Sequence, residues 1–190
     1  MATVSAPLSD ISDLRIGQAA RGALPVAPDG ARHALTSGTL DLLESGRVEG
    51  LPRLPDDELQ SARALEDGDV VLLGRNGLRA VAWQGPPGLV VPFSPLVVLR
   101  VTRLDLADPR YIAAILNLPS VRARAEAQMQ GTSIRMLGNK EIAAIKIALP
   151  PIARQRLIVE LVELQASEAA LLRDLSQARS RLLAALCAAD

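Results

Sequence analysis

The sequence predicts an α+β protein: one mixed α/β domain over residues 1–150, followed by a single long coiled-coil helix over 151–190. Three observations carry this. Residues 64–103 alternate short apolar runs with Gly- and Asn-containing turns, which is the pattern of β-strands. Residues 108–149 carry helix starts and stops around one further strand. Residues 152–188 contain neither Gly nor Pro and repeat apolar residues in steps of four and three, the signature of a helix with one seam.

In chain order, the first sixty residues are irregular, with Gly or Pro at ten positions between 17 and 55. Leu14–Ile16, Ala23–Val26 and Leu40–Leu43 are the short apolar pieces between them, expected as strands or single helical turns. Asp67-Gly68-Asp69 is a turn and Val70–Leu73 a buried strand. Gly74-Arg75-Asn76-Gly77 contains Asn-Gly, which suits a type I′ hairpin because both central residues need positive φ. Leu78–Trp83 is then the return strand, Gly85-Pro86-Pro87-Gly88 a second turn, and Leu89–Val91 and Leu96–Val101 further strands. Asp108-Pro109 pairs an N-cap with proline at the first helical position. That helix should reach about Asn117, yield at Leu118-Pro119 and resume over Ser120–Gln130, until Gly131 stops it. A strand should follow residue 133, then a helical turn capped by Asn139, and Ile145–Leu149 should be the last strand before Pro150-Pro151.

The heptad seam of the C-terminal helix is Leu157, Leu161, Leu164, Glu168, Leu171, Leu175, Ala178 and Leu182. Such a helix, at 1.5 Å per residue, extends roughly 55 Å. A rod of that length cannot bury its seam on a domain of this size, so it needs a second helix. Folding back over its own domain is the competing arrangement. Glu168 interrupts the seam with a charge, which costs stability but can fix register and partner choice.

Composition narrows the function. Nearly half the residues are apolar (49%), which excludes a disordered chain. No apolar run reaches the roughly 18 residues of a membrane span. The N-terminus carries no basic stretch followed by an apolar one, and Cys187 is the single cysteine, so a reducing cytoplasm is the expected location. Net charge is zero, against a protein that coats nucleic acid without selectivity. Residues 61–150, with nine Arg and two Lys against seven acids, hold any polyanion-binding face. Nineteen of the 21 basic residues are Arg, whose planar fork grips guanine edges or phosphate; a GC-rich genome produces the same bias.

Catalytic motifs are missing. The chain has no phosphate-binding Gly-x-x-x-x-Gly-Lys loop, no Gly-x-Gly-x-x-Gly and no Asn/Asp-Pro-Pro-Tyr/Phe tetrapeptide of adenine methyltransferases. Gly138 and Ala144 stand two residues before Lys140 and Lys146, where a nuclease needs an acid. His33 and Cys187 cannot make a zinc site by themselves, and His33 reads as a polar loop residue. Asp56-Asp57-Glu58 reads as the start of a helical turn. No cofactor and no enzymatic activity are expected. Trp83, Tyr111 and Phe93 are expected in the core.

The stretch Gly131–Glu160 combines Gly131-Thr132-Ser133, an Ile-rich turn and strand, Leu149-Pro150-Pro151, Gln155 and the start of the long helix. In this combination the chain resembles a target-recognition domain of the specificity subunits of type I restriction–modification systems. Asp67-Gly68-Asp69-Val70, Asp108-Pro109-Arg110-Tyr111-Ile112 and Leu14-Arg15-Ile16-Gly17 resemble other parts of the family in the same order. Family members carry two such domains and two helices; this sequence carries one of each, and so resembles a half-subunit.

The resemblance implies a non-catalytic reader of double-stranded DNA. It implies a homodimer through antiparallel helices at 152–188, a two-part inverted-repeat site, and docking of a DNA adenine methyltransferase subunit, with a restriction subunit joining in some systems. Side-chain chemistry nominates Arg75, Asn76 and Arg79 for base reading. Ser133, Arg135 and Lys140 are the candidates for phosphate contact, and Arg21, Arg32 and Arg53 further DNA candidates. A solvated Asn-Gly turn explains the hairpin arginines equally well. A coiled-coil adaptor or inhibitor that docks on a methyltransferase or a full-length specificity subunit, without reading DNA, is the alternative.

Overall fold

The computed structural model describes residues 3–20, 22–24, 26–44, 47–55, 62–129 and 135–187, with side chains to residue 184. The first third of the chain forms β1 (Val4–Pro7), β2 (Ser12–Ile16), β3 (Arg32–Leu35), α1 (Leu40–Glu44) and β4 (Arg53–Leu54). The middle forms β5 (Asp69–Leu73), β6 (Arg79–Ala82), β7 (Val90–Pro92) and β8 (Leu96–Val101). The remainder forms α2 (Pro109–Leu116), α3 (Pro119–Glu126), α4 (Asn139–Ala143), β9 (Lys146–Leu149) and α5 (Ile152–Cys187). The fold is thus α+β, with a long helix after a mixed domain.

A four-stranded antiparallel sheet in the order β2-β8-β5-β6 is the centre of the domain. Its strands β5 and β8 are apolar at almost every position because both faces are covered. Val70, Leu72, Val97, Leu99 and Val101 pack on one side with Tyr111, Ile112 and Leu116 of α2. Val71, Leu73, Leu96 and Val98 pack on the other with Leu35, Leu40, Leu43, Val90 and Trp83. The alternation of strand side chains therefore divides one apolar run between two cores. The second layer is a three-stranded sheet, β4-β3-β7, in which β3 runs parallel to β7. β1 pairs with β9, the strand that precedes α5. β6 is an edge strand, and Asn117 covers part of its edge: its side chain accepts from Ala80 N (3.0 Å) and donates to Ala80 O (2.7 Å).

Several expectations need correction. The Asn-Gly turn is not a two-residue hairpin: the last cross-strand pair is Leu73 with Arg79, leaving a five-residue loop. The loop is held open from outside, since Leu137 N donates to Gly74 O (2.8 Å) and Asn76 N donates to Arg135 O (2.9 Å). Positive φ is still required, at Asn76 (54°) and Gly77 (134°). His33 is not in a polar loop; it is buried in β3, its Nδ1 3.2 Å from Leu51 O. Ala23–Val26 forms no strand at its described residues. α3 ends at Glu126, four residues early, and the strand expected near 135 is reduced to a single bridge between Arg75 and Met136. Asn139 does not cap α4; Gly138 holds that position, without a side-chain bond. Trp83, Tyr111 and Phe93 are all buried, as expected. Asp56-Asp57-Glu58 and the side chain of Cys187 lie outside the described residues.

The junction between domain and helix is built by Gln155, which is fully buried. Its Nε2 donates to Leu106 O (2.7 Å) and Pro150 O (2.8 Å), and its Oε1 accepts from Asp108 N (2.9 Å). Asp108 in turn caps α2 by accepting from Arg110 N (2.9 Å). Tyr111 of α2 donates to Ala148 O of β9 (2.7 Å), and burial raises its phenol pKa above the ordinary value. Gln155→Ala strands two carbonyls and one amide away from water, so it should cost about 2 kcal/mol. Urea unfolding followed by circular dichroism would measure it.

Candidate nucleic-acid interface

The loop after β5, the C-terminal half of α3 and the strand-like segment 135–137 meet at one end of the central sheet. Arg75 and Asn76 are exposed there, with no side-chain partner among the described residues. Arg135, exposed on the adjoining segment, donates to Glu126 O at the end of α3 (2.7 Å). A Cβ built on Gly77 would lie 3.4 Å from Glu126 Oε1 and 3.6 Å from an Arg122 guanidinium nitrogen. Arg122 itself sits 3.8 Å from Glu126. Arg75 and Asn76 within the loop and Arg122 and Arg135 beside it thus form a donor-rich rim, with Glu126 next to Gly77. The sequence reading did not name Arg122, one of the two arginines in the Arg-x-Arg run of α3.

Other candidates lie elsewhere. Arg79 begins β6 with its guanidinium on α1, donating to Asp41 (2.5 Å) and Glu44 (2.8 Å). Those hydrogen bonds raise its pKa above the ordinary value, outweighing desolvation. The group fastens α1 to the sheet, and reading a base with it would first require breaking two ion pairs. Lys140 is exposed on α4. Arg32 lies on β3 opposite Leu54 of β4, and Arg53 of β4 lies opposite His33. Arg53 makes a long bond to Pro28 O (3.4 Å). Arg21 and Ser133 lie outside the described residues.

A second group of arginines is structural. Asp69, with a fully buried side chain, accepts from Arg100 Nε (2.8 Å) and Nη2 (2.9 Å) and from Glu66 N (3.0 Å), with Arg15 3.6 Å away. Arg15 also donates to the carbonyls of Arg63 and Ala64. Arg15 is held below its ordinary pKa by burial and Arg100 above it by its bonds to Asp69. Arginine remains charged in either case. The Gly-Asp-Val run therefore carries a β2-to-β8 clamp that its sequence does not announce.

α5 has two opposite sides. Gln155 and Val159 are buried, Val162 and Ala170 half-buried, and Glu163 lies 3.6 Å from Arg110 of α2, so this side follows the domain. At 3.6 residues per turn the seam residues fall about 180° around the helix from that side. They are open to solvent: Leu157 is 64% exposed, Leu161 56%, Leu164 68%, Leu171 69%, Leu175 47% and Leu182 62%, with Glu168 and Ala178 exposed between them. The helix does not lay its seam on its own domain. The first half of α5 hugs the domain with the other face, and the leucines point away.

Among the described residues, no group of three or more His, Cys, Asp or Glu is placed to hold a metal ion. None of the described helices is long and apolar enough to cross a membrane.

Taken together, the molecule is an α+β domain carrying a heptad helix with its seam turned outward. No family model matches the sequence and no curated protein matches it. Solved structures do match the fold. The S subunit of a type I restriction–modification system from M. genitalium aligns at a TM-score of 0.60 and 13% identity, over 86% of this chain and 38% of its own. A chain from a study of complex assembly and conformational transition of the type I R-M system aligns at 0.61 and 19%, over 95% and 42%. The HsdS subunit from Thermoanaerobacter tengcongensis aligns at 0.59 and 22%, over 90% and 39%. The resemblance drawn from Gly131–Glu160 is therefore borne out in the fold. The chain spans about two-fifths of the length of these structures and shares the fold of the part that it covers.

Proposed function

We propose that this chain is a specificity half-subunit of a type I-like restriction–modification system. It is a non-catalytic protein that dimerises through residues 152–188, reads a two-part inverted-repeat DNA site and positions a DNA adenine methyltransferase subunit. Residues 1–150 act as the reading domain and 151–190 as the dimerisation helix. The observation that carries the reading is the outward seam: a leucine row left in water opposite the domain-facing side of α5. Exposed apolar rows of this kind are interaction sites. A two-fold pair of identical readers matches a DNA site with the same symmetry. Arg75 and Asn76 supply forked and amide donors for base edges, while Arg135, Lys140 and Arg122 supply charge for phosphates.

The adaptor reading keeps one observation in its favour. Arg79, one of three base-reading candidates, is already paired with Asp41 and Glu44. Selection from a randomised duplex pool separates the two. Enrichment of an inverted repeat supports the half-subunit; no enrichment together with tight methyltransferase binding supports the adaptor.

Within the half-subunit reading, Arg75→Ala should cut discrimination between the selected site and single-base variants by about tenfold or more. Arg135→Ala should weaken binding to all duplexes alike and reduce the salt slope by about one. Titrations at several salt concentrations would read both. Parent-like binding by both variants would move the interface off this rim.

A further inference from the structure

The seam of α5 allows few alignments with a second copy, and the residues beside it distinguish them. We propose that two copies pair antiparallel in one register, set by Glu160 facing Arg181 of the second copy, twice by symmetry. The inference rests on the homodimer reading above and adds the alignment. In this register Leu157 lies against Leu182 of the second copy, Leu161 against Ala178, Leu164 against Leu175 and Glu168 against Leu171. All eight seam positions are used.

Antiparallel coiled coils place matching flanks of the two seams side by side, where charges choose partner and orientation. One flank of α5 carries Glu160, Ser167, Asp174 and Arg181, each a residue before a seam position and each exposed. Neither Glu160 nor Arg181 has an ion-pair partner among the described residues of its own chain. In the proposed register Glu160 meets Arg181 and Ser167 meets Asp174. A slide of one heptad in one direction sets Glu160 against Asp174 and strips Leu182 of its partner. A slide in the other sets Asp174 against Asp174 and carries Leu157 opposite position 189, beyond the end of α5. A parallel, in-register pair would stack Glu168 on Glu168 in one apolar layer. Of these four arrangements, the proposed one alone keeps the full seam, an attractive flank and no facing acids.

Sedimentation equilibrium of the full chain tests it. Glu160→Arg and Arg181→Glu should each raise the dimer Kd about tenfold, since two symmetric pairs turn from attraction to repulsion. The double variant should return the Kd to within about twofold of the parent's. A dimeric parent whose single variants leave the Kd unchanged, or whose double variant is weaker than either single, overturns the register and leaves the homodimer standing. A parent that is monomeric at micromolar concentration overturns both.

Discussion

Asp69→Ala should lower the stability of the domain by about 3 kcal/mol. The carboxylate is sealed from solvent and holds Arg100 through two bonds, the Glu66 amide through a third and Arg15 by charge. Removing it leaves Arg15, only 19% exposed, on the carbonyls of Arg63 and Ala64 without its counter-ion, and opens the turn that starts β5. Arg100, 46% exposed, recovers part of its loss from water, which keeps the effect below that of a wholly buried pair. For a chain of this size the melting temperature should fall by about 10 °C. Asp69→Asn, which keeps an acceptor, should cost less. Differential scanning calorimetry would measure both, and a shift of under about 2 °C in Asp69→Ala would show that the clamp adds nothing net.

Leu161→Lys combined with Leu175→Lys should abolish self-association, weakening the dimer on the order of a thousandfold or more, because each pair would bury four ammonium groups in apolar layers. The same variant should keep the melting behaviour of a folded monomer. Both leucines are already exposed in the single chain, and lysine is a good helix former. Binding to a two-part DNA site should fall with it, since one domain then binds without the other held nearby. Sedimentation velocity and DNA titration on the same preparation would check the two effects together. A variant that still sediments as a dimer would mean that another surface joins the copies.

How much could be read in advance varies with the range of the interaction. Strands β5 and β8 were legible because burial on both faces writes an unbroken apolar run. α2 was legible because Asp108-Pro109 is a local start signal, and the cap does accept from Arg110 N. The hairpin loop was misread because its shape is decided 60 residues away, by backbone bonds from Asn76 and to Gly74 that join residues 135–137. His33 was misread for a similar reason: its strand exists only because β7 and β4 flank it, and neither is near in sequence. In the candidate interface, Arg75 and Asn76 were nominated from chemistry and stand exposed, Arg122 beside them was not nominated, and Arg79 is tied to two acids more than 30 residues upstream.

The sequence by itself determined most of the elements from β5 onward, the α+β class and the long helix with its leucine seam. Each depends on periodicity or on a neighbour a few residues away. Only the tertiary structure decided which way the seam faces, that Gln155 knots the helix to the domain, and which arginines are left exposed and which are spent on Asp69, Asp41 and Glu44. Those outcomes depend on pairings across the chain. An arginine is equally charged in either role, and its partner's distance in space is not written in its spacing along the chain.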